Sequence, residues 1–260
     1  MSADQGGERG GAMIARTSLR LSAALLLAGQ LLYIVITQFH ADGNANNHPA
    51  VFAEYAGSGI WKAVHLGQFA GMAILIAGLL ALFFALDVQA GTARWAGRFG
   101  AASAVVALAL YGVLQAVDGV GNKQVDDAWV SAPHAEKAAR FASAEAMRWL
   151  EWGVRSYQDF ALGLALLLLA AAVARTAGVP RLIAYLMGLS GLTYLVQGWV
   201  VGAEGFSGTD TILILLAWAL SLAWMIWLAV VAWRMQDPQA RRLADEGVGR
   251  PATSPTITHR

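Results

Sequence analysis

Six long runs of apolar residues, separated by polar stretches, organise this chain. They cover about residues 21–39, 64–86, 99–117, 153–174, 182–201 and 211–233. Each is close to the roughly 20 apolar residues that a helix needs to cross a bilayer. None shows the strict alternation of a half-buried strand. The pattern predicts an all-α membrane protein, a six-transmembrane helix bundle. Residues 1–19 and 236–260 are polar and read as disordered tails. The first run is longer than a signal-peptide core and no A-x-A-like site follows it, so it reads as a retained span.

The polar connections alternate in kind. Those after the second and fourth runs are short and rich in arginine; those after the first and third are longer and hold His40, His48 and His134, with His65 just inside the second run. Arg16, Arg20, Arg94, Arg98, Arg175, Arg181 and Arg234 fall on one side, against Lys62, Lys123, Lys137, Arg140 and Arg148 on the other. The positive-inside rule then puts both termini in the cytoplasm. The outer connections, 40–63 and 119–152, would form a cap. Within it Ser131 and Pro133 predict the start of an interfacial helix running toward Trp152. Trp61, Trp129, Trp149, Trp152 and Trp199 are expected in an outer aromatic belt, with Trp95 and Trp233 in an inner one. Gly57, Gly59, Gly119 and Gly121 read as turn residues.

Composition supports this reading and narrows the chemistry. The 260 residues are 57% hydrophobic and 13% charged, with no cysteine and a net charge of +1. Disulfides, thiolate ligands, cysteine nucleophiles and covalent heme attachment are excluded. No basic surface argues for nucleic acid.

The segment ALGLALLLLAAAVARTAGVPRLIAYLMGLSGLTYLVQGW combines a Gly/Leu-rich span, a short basic turn, Pro180-Arg181, and then Gly188, Gly191 and Tyr194. It resembles the fourth-to-fifth span region of a bacterial family of six-span integral membrane proteins, the domain of unknown function numbered 4386. The resemblance implies six spans and a bacterial inner membrane, and no activity.

Polar residues inside spans are costly and face the bundle interior or a cavity. Here they gather at one level: His40, His65, Asp118, Glu151, Arg155, Asp159 and Glu204 all fall in the outer half. Glu151, Arg155 and Asp159 are spaced i, i+4, i+8 on one helical face and predict an ion ladder. That ladder either locks the helix or lets Arg155 hold an anionic head group or carboxylate. His40 and His65 flank the first connection and would meet if spans one and two form a hairpin. The bland alternative makes both histidines interfacial residues bonded to loop backbone. His48 reads as an exposed loop residue.

With no HExxH, HxH or i, i+4 histidine pair, the spacing fits no standard metal motif. His40 and His65 remain candidate ligands for a divalent metal or a heme. The leading expectation is an outward-facing pocket, lined by these seven residues, that binds a small ligand, a membrane lipid head group or a metal. A heme- or metal-dependent membrane redox protein or enzyme is the alternative. A small transporter, or a structural protein pairing with a second copy or another membrane protein, also stays open.

Overall fold

The computed structural model describes residues 16–41, 46–86 and 91–235. Its described elements are all helical. In chain order they are α1 (Arg16–Thr37), α2 (His48–Gly57), α3 (Trp61–Leu86) and α4 (Gly91–Ala116), then a π-helical segment (Val117–Asn122), α5 (Lys123–Val130), α6 (Lys137–Val173), α7 (Arg181–Glu204) and α8 (Gly208–Arg234). Six helical stretches are long and apolar enough to cross a membrane, as in a multi-pass membrane protein: α1, α3, α4 through α5, α6, α7 and α8.

These six form a ring. α1 packs on α3, α3 on α4, α4 on α6, α6 on α7, α7 on α8, and α8 returns to α1. Arg20 closes the ring by donating from Nε to Ala232 O at 3.0 Å and from Nη2 to Trp233 O at 3.1 Å. These carbonyls end α8 and have no helical partner of their own, so a guanidinium there satisfies them. The start of α1 and the end of α8 therefore share one end of the bundle, here the terminal end. The other is the cap end.

Small residues set the closest approaches. A Cβ built on Gly29 would meet the backbone of α3, at Leu75 N and at Gly71 O (2.8 Å), and one on Gly78 would lie 2.7 Å from Leu26 N. Ser22 Oγ donates to Gly78 O at 2.8 Å across the same contact. Backbones in direct contact are the small-residue mode of membrane helix packing. Gly163 and Gly191 do the same for α6 and α7.

Several sequence expectations need correction. α1 begins at Arg16, inside the stretch read as tail, and α4 begins at Gly91, within the connection placed before residue 99. Residues 1–15, 87–90 and 236–260, including most of both expected tails, lie outside the described residues. The first connection contains α2, capped by Asn47, whose side chain accepts from Ala50 N. Gly119 and Gly121 are not turn residues; the third span continues through them as a π-helix into α5. Ser131 closes α5 instead of opening a helix, its Oγ donating to Asp127 O at 2.7 Å. The cap helix starts at Lys137 and runs unbroken into the fourth span as α6, a single helix of 37 residues.

Candidate functional site: a histidine–aspartate cluster on a cavity

Three elements converge at the cap end. α1 ends in a turn that carries His40, α3 presents His65 from its second turn, and the π-helical segment presents Asp118. The glycine contacts between α1 and α3 bring the first two together. Gly119 admits the third: a Cβ there would stand 2.8 Å from His65 Cβ. Gln68 Nε2 donates to Thr37 Oγ1 at 3.2 Å just below and ties α3 to α1 again.

His65 Nε2 lies 3.0 Å and His40 Nε2 3.7 Å from the same oxygen, Asp118 Oδ2. The opposite ring nitrogens define the tautomers. His40 Nδ1 is 2.8 Å from Ala41 O and His65 Nδ1 is 2.9 Å from Trp61 O. A carbonyl only accepts, so each Nδ1 carries a proton and donates. In the neutral rings both Nε2 atoms are then bare and face a carboxylate. His65 Nε2 is buried and has no hydrogen-bond partner, despite its 3.0 Å distance from Asp118. Burial alone would lower the His40 pKa. The hydrogen bond and charge of Asp118, with the Ala41 carbonyl and Glu151, outweigh that and raise it above 6.5.

A second group sits beside the first. Asn122 Nδ2 donates to Asp118 Oδ1 at 3.1 Å and to Glu151 Oε2 at 2.7 Å. Arg148 Nη1 donates to the same Glu151 oxygen at 2.8 Å and to Tyr55 Oη at 2.9 Å, while its guanidinium lies over the Phe206 ring at 4.7 Å. A third group lies deeper: Arg155 Nε donates to Asp159 Oδ2 at 3.0 Å and its Nη1 to Tyr33 Oη at 3.3 Å. The expected ladder is therefore two pairs. Glu151 belongs to Arg148, which the sequence placed in the exposed cap, and Arg155 belongs to Asp159.

Between these groups lies a cavity of about 220 Å³. His40, Asp118, Glu151 and Arg155 line it, with Arg148 and Asp210. His65 stands behind His40 and Asp118, and Asp159 behind Arg155. Glu204 is exposed; Ser207 Oγ donates to its side chain and Asn46 Nδ2 to its carbonyl. Asp210, six residues on, occupies the place the sequence reading gave to Glu204. His48 is not an exposed loop residue: its Nδ1 sits 2.9 Å from Glu145 Oε1 inside the cap. His134 is exposed and apart from the cluster.

Charge adds a constraint. Asp118, Asp126, Glu151, Asp159 and Asp210 are all buried at this end of the bundle, against the guanidiniums of Arg148 and Arg155. Five carboxylates against two cations leave an excess of negative charge that burial makes costly unless positive charge joins it. Protons or a metal ion can supply it.

The donor set decides which metal chemistry fits. Two imidazoles and a carboxylate suit zinc, iron and similar transition ions, and the ligand atoms all lie within 4.8 Å of one another. Around a tetrahedral ion with bonds of about 2.1 Å they would be about 3.4 Å apart. Each histidine already has the carbonyl partner on Nδ1 that orients a metal-binding imidazole. A heme bridged by His40 and His65 does not fit. Axial ligands stand on opposite faces of the macrocycle, whereas both Nε2 atoms here converge on Asp118, with ring centroids 5.2 Å apart.

Several residues of the site escaped the sequence reading, among them Tyr33, Tyr55, Trp61, Asn122, Arg148 and Asp210. Trp61, expected in a belt, is buried; its Nε1 donates to Asp118 O at 3.1 Å and its ring lies tilted against His65, with centroids 4.3 Å apart. A tryptophan four residues before a polar span histidine was the available signal. Comparison of the chain with protein-family models, curated proteins and solved structures finds no match.

Proposed function

We propose that this chain is a metal-binding protein of the bacterial inner membrane. Both termini are cytoplasmic and the cap end faces outward. His40, His65 and Asp118 hold a divalent transition-metal ion at the wall of the cavity, and the ion takes part in binding a small ligand there. One observation carries the reading: two imidazoles, each with Nδ1 on a backbone carbonyl, direct their Nε2 atoms at a single carboxylate oxygen. The distribution of arginine between the two ends supports the orientation.

Three protein ligands leave coordination positions free, and these would face a space lined by Arg155, Tyr33 and Trp218. Elemental analysis of the purified protein tests the proposal. Wild type is expected to carry stoichiometric metal, and Asp118→Asn and His65→Ala to carry none. Folded wild type that stays metal-free after incubation with zinc, iron(II) and manganese would overturn it.

A proton shared among the three groups is the second reading, favoured by the raised His40 pKa. It predicts a metal-free protein whose His40 ring titrates above pH 6.5.

A further inference from the structure

A second hollow, of about 380 Å³, opens on the outside of the ring between α3 and α4. Lys62, Leu66 and Phe69 line it from α3, and Gly112, Ala116 and Val120 from α4 and the π-helical segment. Residues 62, 66 and 69 are spaced i, i+4, i+7, so they form one face descending from the cap end. Gly112 and Ala116 leave the opposite wall low; a Cβ on Gly112 would touch only Phe69 Cε2, at 3.6 Å. The hollow runs from one cation at its cap-end rim to an apolar floor deeper along the spans.

Its back wall is the candidate metal site. His65 lines this hollow, and Gln115 lines both this hollow and the inner cavity. Gln115 Oε1 is buried without a hydrogen-bond partner. Gln115 therefore borders both the groove and the inner cavity, and the His65 imidazole belongs both to the groove wall and to the cluster.

We infer that this groove holds the acyl chain of a single-chain amphiphile with an anionic head group, drawn from the membrane, with its head at Lys62 and its first carbons beside His65 of the histidine–aspartate site. The inference rests on the proposed metal-binding role and names the class of ligand for that site. The polarity of the groove matches such a molecule in the bilayer. Lys62 pairs with the carboxylate or phosphate at the interface, the chain descends past Leu66 and Phe69, and the carbons next to the head pass His65. A water-soluble ligand gains nothing from an apolar groove that faces lipid, whereas an amphiphile is already concentrated there.

Electron paramagnetic resonance of stearic acid carrying a nitroxide near its carboxylate, added to the purified protein in lipid nanodiscs, tests this. Wild type is expected to show a motionally restricted component. Gly112→Trp fills the groove from the side away from the histidines and should abolish that component with metal content unchanged. Lys62→Gln leaves packing intact and should weaken binding about fivefold, the equivalent of about 1 kcal/mol for one basic residue at a membrane surface. With copper(II) loaded, the restricted signal should broaden.

Equal mobility in wild type, Gly112→Trp and Lys62→Gln would overturn the groove. So would a restricted signal that loaded copper leaves sharp, because the chain would then lie away from His65. A restricted component in a protein that binds no metal would sink the metal reading and leave the groove standing. Metal without any restricted component would do the reverse.

Discussion

Gly119 lies against His65 so closely that a methyl group added to it would stand 2.8 Å from His65 Cβ and 2.9 Å from Cγ. The contact limits where the imidazole can sit beside Asp118. Gly119→Ala is therefore expected to push the ring off Asp118 with the helix otherwise intact. Overpacking of this kind costs about 1–3 kcal/mol. Metal affinity should fall much more than thermal stability. Zinc titration and a melting curve on the same sample check this; an unchanged zinc affinity would show that the contact does not position His65.

Arg148 and Glu151 form the most enclosed ion pair among the described residues, with side chains 2% and 3% exposed. Removing one member of such a pair costs about 3–5 kcal/mol, because the other charge stays buried alone. Arg148→Met should thus be markedly destabilised. Arg148→Met combined with Glu151→Leu should recover a large part of the loss. Unfolding of the three proteins in one detergent measures the difference; equal loss in the single and double variants would mean that the pair's charge is not the issue.

Acidification should release the metal. The His40 pKa is raised above 6.5, so the metal-free protein binds a proton there at a pH where a free histidine would already have lost it. That proton and the metal compete for Nε2, and metal affinity falls as pH drops through the raised value. The sign for metal-free stability is opposite. The folded state holds the proton more tightly than the unfolded chain, a contribution fully present below pH 6.5 and lost as pH rises through the folded value. Melting temperatures with and without zinc should therefore diverge as pH increases. Parallel curves would place the metal elsewhere.

Gly29 tests whether helix packing builds the site. Its Cβ would collide with backbone atoms of α3, which cannot rotate away. Gly29→Val should force α1 and α3 apart, lower stability and weaken metal binding through the separation of His40 from His65. Replacing Ala28, its exposed neighbour, by valine is the control and should change neither.

The six helices long and apolar enough to cross a membrane were legible in the sequence because each needs only length and hydrophobicity. The cluster was partly legible: His40, His65, Asp118, Glu151 and Arg155 stand out as polar residues at one depth. Their grouping was not. Glu151 and Arg155 share a face of α6, yet Glu151 pairs with Arg148 because Tyr55 and Phe206 enclose that guanidinium. Tyr55 comes from α2, a ten-residue helix whose weak pattern was absorbed into a loop. Glu204 and Asp210 are equally acidic and near in sequence. The reversal of the chain at Gly205, with φ of 69°, turns one outward while the other enters the first turn of α8. Such choices are set by contacts between distant segments, and no local pattern carries them.

The unbroken course of α6 has a mechanical consequence. At about 1.5 Å per residue its 37 residues extend about 55 Å, well beyond a hydrocarbon layer of about 30 Å. Glu145, which meets His48 in the cap, and Arg155, which lines the cavity, are stations on this same stiff rod. A load placed on the cap would be transmitted to the cavity as a tilt or rotation of a shaft, with no hinge between to absorb it. An event at the cavity would lift or turn the cap by the same linkage.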